Sequence, residues 1–126
     1  MNLTELIRWQ YRGYAIFHRS RENLLMHIVC VPLFIAGNIG LIVTVANLMW
    51  LGSIAAIAVM IVSVALQGRG HARERHPAEP FTGAINAIAR IFLEQWITFP
   101  RFVLSGGWRR ALSQSNESGI AEPTNQ

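Results

Sequence analysis

Two residue types are missing altogether, lysine and aspartate, and cysteine occurs once, as Cys30. Without aspartate there is no serine-histidine-aspartate triad. Nor is there a Gly-x-Ser-x-Gly turn, a phosphate-cradling glycine loop or a Cys-x-x-Cys pair. One cysteine excludes an internal disulfide, and Cys30, inside an apolar run, reads as a small packing residue. With no lysine, the net charge of +4 rests on arginine alone. The largest absence is of charge itself. From Asn23 to Gly68 there is no Asp, Glu, Lys or Arg, and His27 is the only group there that titrates near neutrality.

That uncharged run organises the chain. A membrane helix needs about 20 mostly apolar residues, and the run is long enough for two, roughly Ile28–Ala46 and Leu51–Leu66. Asn47-Leu48-Met49-Trp50 forms the connector between them. The alternative is a buried helical pair in a soluble bundle. The hydrophobic fraction of 52% and mean hydropathy of +0.30 fit the membrane reading. Arg8, Arg12, Arg19 and Arg21 precede the run and Arg69, Arg73 and Arg75 follow it, whereas the connector is uncharged. Positive flanks stay on the cytoplasmic side, so both ends are expected there. The same placement makes the arginines topology signals and contacts for anionic lipid, not a nucleic-acid surface. The first 22 residues carry both charge signs and no cleavage pattern follows the run. The protein is therefore expected to insert through its own helices.

The expected architecture is all-α. It is a single membrane domain over 1–112, a transmembrane hairpin with amphipathic interfacial or re-entrant helices on the cytoplasmic side, followed by a polar, disordered tail over 113–126. Leu3–Phe17 has an amphipathic pattern, with Thr4 as a candidate N-cap. On one continuous helix His18 and His27 lie about 900° apart and face opposite ways. They share a site only if the helix breaks between them, and Ser20 is a suitable N-cap for a new helix from Arg21. Asn23 is then one turn before His27, placed to orient its ring. Ala36 with Gly40, and Gly52 with Ala56, have the spacing of close helix packing, and Pro32 falls near the entry of the first crossing. After the second crossing, Gly68 and Gly70 are expected to loosen the helix end. His71 and Glu74 (i, i+3) would point the same way on a helical turn. From Phe81 to Leu104 a second amphipathic pattern carries Arg90 and Glu94 as an i, i+4 pair. This stretch reads as interfacial or re-entrant in preference to a third crossing, with Pro100 ending or kinking it. Ser105-Gly106-Gly107 reads as a turn and Trp108-Arg109-Arg110 as an interface anchor.

The hairpin brings His27 and His71 to one membrane face, and the break adds His18. Imidazoles suit iron, zinc, copper or nickel, and Glu74 is the carboxylate candidate to complete or support the group. The competing reading makes these histidines interfacial polar residues of a non-catalytic scaffold or lipid-binding protein. His76 reads as a surface residue.

The pattern Tyr14-x3-His18-x4-Asn23-x3-His27-x4-Pro32, then Gln67-x2-Gly70-His71-x2-Glu74-x2-Pro77-Ala78, resembles the Mpo-like family. These are the 2-hydroxy fatty acid dioxygenases named for converting phytosphingosine to odd-numbered fatty acids. The similarity runs from about Tyr11 to Arg110 and includes Pro80-Phe81 and Phe92-x-Glu94-Gln95; the chain looks like a short bacterial member. The resemblance implies an iron(II) membrane enzyme that uses dioxygen to shorten a 2-hydroxy fatty acid by one carbon. By position it makes His18, His27 and His71 the metal-associated residues. The arginines that follow the second crossing, Arg69 and Arg73 foremost and Arg75 beside them, are candidates to hold the substrate carboxylate. They are equally a plain positive flank.

Overall fold

The computed structural model describes residues 1–115. It is helical, with no strand among the described residues. The elements are α1 (Leu3–Phe17), α2 (Arg21–Ala46), α3 (Trp50–His71), α4 (Ala84–Leu93), a π-helical turn (Glu94–Thr98), α5 (Phe99–Leu104) and α6 (Gly107–Gln114).

The uncharged run forms an antiparallel helical hairpin. Residue pairs down its length fix the register. Asn23 lies against Gly70, the Ser63 hydroxyl donates to the Cys30 carbonyl, Gly37 meets Met60, and the Ser53 hydroxyl donates to Thr44. The backbones come close at Gly37, where a Cβ would fall 2.7 Å from Met60 Cγ and 3.2 Å from the Ala56 carbonyl oxygen. Ala36, expected to serve this packing, faces outward. The hairpin turns at Asn47–Met49. Leu48 takes φ 54°, and the Met49 amide donates back to the Thr44 carbonyl at 2.8 Å.

Both hairpin helices are long and apolar enough to cross a membrane. Their surface is the reverse of a water-soluble domain. Val29, Leu33, Ile39, Ile42, Leu51, Ile54 and Ile61 are exposed, while His18, Asn23, His27, Ser63, Gln67, Gln95 and Thr98 are buried. Large apolar groups in water cost free energy, and buried polar groups cost more unless they are hydrogen-bonded. A lipid surround removes the first cost, and the hydrogen bonds described below offset the second.

At the mouth of the hairpin α1, the π turn, α5 and α6 pack around the base of α2. Tyr14, Leu24, Val31, Phe99 and Phe102 form the apolar cluster there. Two long polar side chains fasten it. The Trp108 indole donates to the Leu24 carbonyl, so the expected interface anchor is an internal strut. Gln10 donates to the Arg90 carbonyl and accepts from the Thr98 hydroxyl, joining α1 to α4 and the π turn.

Several local expectations change. Asn2, not Thr4, caps α1, because a reciprocal capping box with Glu5 satisfies two amides at once. Since α2 begins at Arg21, Pro32 lies well inside a helix and not at its entry. Gly68 and Gly70 do not loosen α3, which runs through both to His71. Pro100 does not end the second amphipathic stretch. The preceding π turn has already shifted the hydrogen-bond register, with the Phe99 amide donating to the Glu94 carbonyl, and α5 continues through the proline. The tail begins later than expected, because α6 reaches Gln114. The expected disorder of 116–126 falls outside the described residues.

Candidate metal centre

Four elements each deliver one ligand-type side chain to a common point at the hairpin mouth. They are His18 where α1 ends, His27 on α2, His71 at the end of α3, and Glu94 opening the π turn. One ligand atom from each lies within 4.8 Å of all the others.

The helix break makes this possible. α1 stops at Phe17, His18 leaves helical geometry (φ −132°, ψ 68°), and the Ser20 side chain accepts from the Asn23 amide to start α2. The break leaves amides without helical partners. Glu74 supplies the acceptor: its Oε1 receives the Arg19 and Ser20 amides, each at 2.9 Å, and the Asn23 Nδ2 group at 2.8 Å. A carboxylate there also meets the positive end of α2. Glu74 is therefore not among the four converging groups. Beyond Ala72 the chain no longer follows the helix that would point Glu74 beside His71, and the residue holds the break instead. Gly70 permits this, since a Cβ on it would fall 2.4 Å from Asn23 Oδ1.

The tautomers follow from the hydrogen bonds. His18 Nδ1 lies 2.8 Å from the Tyr14 carbonyl oxygen, and His27 Nδ1 lies 2.9 Å from the Asn23 carbonyl oxygen. A carbonyl only accepts, so both Nδ1 atoms carry the proton and both Nε2 atoms present lone pairs. Asn23 thus orients His27 as expected, but through its backbone carbonyl and not its side chain. The two Nε2 atoms stand 3.4 Å apart, and Glu94 Oε1 lies 3.6 Å from His18 Nε2 and 3.4 Å from His27 Nε2. The three imidazole rings stand nearly perpendicular to one another, with centroids 4.7, 4.7 and 4.9 Å apart. His71 Nδ1 is buried with no hydrogen-bond partner among the described residues.

Lone pairs and a carboxylate oxygen gathered this closely repel unless a cation sits among them. Protons could serve, but burial opposes a charged imidazole. His18 is pushed below its ordinary pKa, chiefly by burial and also by the neighbouring His27, against the opposing pull of Glu94. A metal ion fits better. Atoms sharing an ion at about 2.0–2.2 Å stand roughly 3.0–3.5 Å apart, the spacing seen for His18, His27 and Glu94. The three histidines and Glu94 can therefore hold a metal ion.

Tyr14 supports the group in three ways. Its carbonyl accepts the hydrogen bond from His18 Nδ1, its ring stacks on the His18 ring at 3.8 Å, and its hydroxyl donates to Glu94 Oε1 at 3.0 Å. Burial and the Glu94 carboxylate both raise the phenol's pKa, so it remains a donor. Beneath lies a second buried polar layer. Gln67 and Gln95 exchange two amide hydrogen bonds, at 2.9 and 2.8 Å, tying α3 to the π turn one residue from Glu94.

A cavity of about 1010 Å³ adjoins the group; His18, His71 and Glu94 form part of its wall. Trp9, Ile16, Phe17, Val64, Phe81 and Ile91 make much of the rest apolar. Arg69 and Arg73, the expected carboxylate holders, do not border it. Arg73 is exposed and lies 3.7 Å from Glu22. The arginines on the wall are Arg8, Arg12 and Arg90. Arg90 is engaged there, donating to the Pro80 and Glu79 carbonyls between the Trp9 and Phe81 rings. His76 is exposed and outside the group.

Glu94 is the ligand-type residue that sequence reasoning missed. Its signal was a carboxylate in the middle of an apolar helix, but pairing it with Arg90 at i, i+4 assigned it to the polar face. No family model, no curated protein and no solved structure matches the chain.

Proposed function

We propose that the protein is an integral membrane enzyme that uses iron(II) and dioxygen to shorten 2-hydroxy fatty acids by one carbon. The observation that carries this reading is the convergence of His18, His27, His71 and Glu94 beside a largely apolar cavity at the base of an apolar hairpin. Three imidazoles and one carboxylate suit iron(II) among other divalent ions, and the motif resemblance selects iron and the 2-hydroxy acid. When bound, the ion would supply Lewis acidity and redox capacity toward dioxygen and the hydroxy-carboxylate head.

The chain's own residues supply the rest. The Tyr14 and Asn23 carbonyls keep the His18 and His27 Nε2 lone pairs aimed inward. The Tyr14 hydroxyl fixes the Glu94 carboxylate. The apolar walls keep water from the reacting head and leave the acyl tail near lipid. The same reading places both termini on the cytoplasmic side of a bacterial inner membrane.

Purified protein incubated with iron(II), oxygen and a labelled 2-hydroxy acyl chain is expected to give the acid one carbon shorter. A protein that carries no metal and gives no such product would be a lipid-binding scaffold instead. A reporter fused after Gln126 that is active only on the far side of the membrane would overturn the topology.

A further inference from the structure

One glycine on the hairpin helices stands apart from its neighbours. At Gly37, Gly52 and Gly70 a Cβ would fall 2.7, 2.8 and 2.4 Å from a neighbouring atom, and at Gly40 it would make an ordinary contact with Ala56 at 3.9 Å. Gly68 is exposed and has nothing within 4 Å of the Cβ it lacks. A glycine inside a helix weakens it, and no approaching element calls for one here. α3 is continuous through the position. What lies beside Gly68 is the cavity. Val64, Gly68 and His71 fall at i, i+4 and i+7 on one face of α3, and all three line the wall, as do Gly13 and Ile16 of α1. At 1.5 Å per residue this face runs about 10 Å from His71 to Val64, from the mouth into the apolar depth of the hairpin. The polar His18, Glu94, Gln67 and Gln95 and the apolar Val64 and Ile16 all line the cavity, together with the charged Glu5, Arg8, Arg12 and Glu79.

Resting on the function proposed above, we infer that this face of α3 is the channel for the substrate's alkyl chain. The acid head lies at the His–Glu group and the chain passes Gly68 toward Val64. Gly68 sets the bore. Its missing side chain leaves room for methylene groups between α3 and α1, and a branched side chain there would close the passage without touching a ligand residue.

The test separates occupancy from turnover. A saturated fatty acid without a 2-hydroxyl, carrying a terminal diazirine, is photolysed with the full-length, iron(II)-loaded protein in lipid nanodiscs. Labelling is read by peptide mass spectrometry. In the wild type the label is expected on α3 at or near Val64. It should fall at least tenfold in Gly68→Leu and in Val64→Trp, with metal content unchanged in both. Gly68→Ala, whose methyl enters empty space, should label like the wild type. In turnover Gly68→Leu should lose long-chain 2-hydroxy acids and keep 2-hydroxybutanoate. No label near Val64 in the wild type, or equal labelling in Gly68→Leu, overturns the channel. Loss of metal from both blocking variants overturns it too, by making the face structural. Labelling as expected with no acid shortened leaves the channel standing and removes the dioxygenase.

Discussion

The far half of the hairpin and its mouth join the same two helices by different means. In the far half, contact rests on small residues. Gly37 sits against Met60 and Ala56, Gly52 against Thr44, and a single Ser53–Thr44 hydrogen bond crosses the gap. At the mouth, contact rests on polar side chains drawn from four elements, most with an assigned partner. Close packing of small groups gives adhesion, is indifferent to chemistry and needs only volume. Buried polar networks are specific, and removing one member leaves others unsatisfied. The scaffold and the candidate site are thus divided along the length of one hairpin, and the two halves should respond differently to substitution.

The largest effect expected falls at the mouth. His27→Ala, His71→Ala and Glu94→Ala should each abolish stoichiometric metal by elemental analysis, with the proteins still inserted in membranes, because the apolar spans are untouched. Full metal content in Glu94→Ala would remove that carboxylate from the site. Next comes Gly70→Val, whose side chain would strike Asn23 and disturb the clamp on the helix break. Metal affinity should fall about 10–100-fold, as for loss of a residue supporting a ligand. The matched change in the far half, Gly37→Leu, should cost about 1–3 kcal/mol of stability by overpacking and leave metal per folded molecule unchanged. If Gly37→Leu reduced metal content as strongly as Gly70→Val, the two halves would not be independent.

Smaller again is Glu74→Ala. It removes one charged acceptor from three donors, about 1–3 kcal/mol of stability, and metal affinity should drop less than in Glu94→Ala. Thermal unfolding with and without added metal distinguishes the two carboxylates. His76→Ala should change neither stability nor metal content. Damage as great as in His71→Ala would mean the site is built on the His71-x4-His76 pair.

Much of the far half was legible from sequence. A charge-free run, an uncharged connector and small residues at helical spacing report one-dimensional properties. The helix break was legible as well, since Ser20 is a local capping signal. What escaped depends on register in three dimensions. Ala36 and Gly37 are neighbours in sequence, and only the partner's position decides which one faces it. Glu74 left the group because the chain leaves helical geometry after Ala72, where a spacing rule no longer applies. Glu94 keeps its regular i, i+4 relation to Arg90, and only the packing of that helix against α1 and α2 decides that the carboxylate turns inward.

The π turn at Glu94–Thr98 carries one residue more than an ordinary helix needs to reach the same facing. Within it, Trp96 and Ile97 are partly exposed, whereas Gln95, Thr98, Phe99 and Phe102 are buried. The bond from the Phe99 amide to the Glu94 carbonyl spans five residues where an α-helix would span four. Deleting Trp96 or Ile97 would leave Glu94 and Phe99 as i, i+4 neighbours of an ordinary helix, still on one face. The surplus residue is taken up locally, and the two ends of the turn keep a common side.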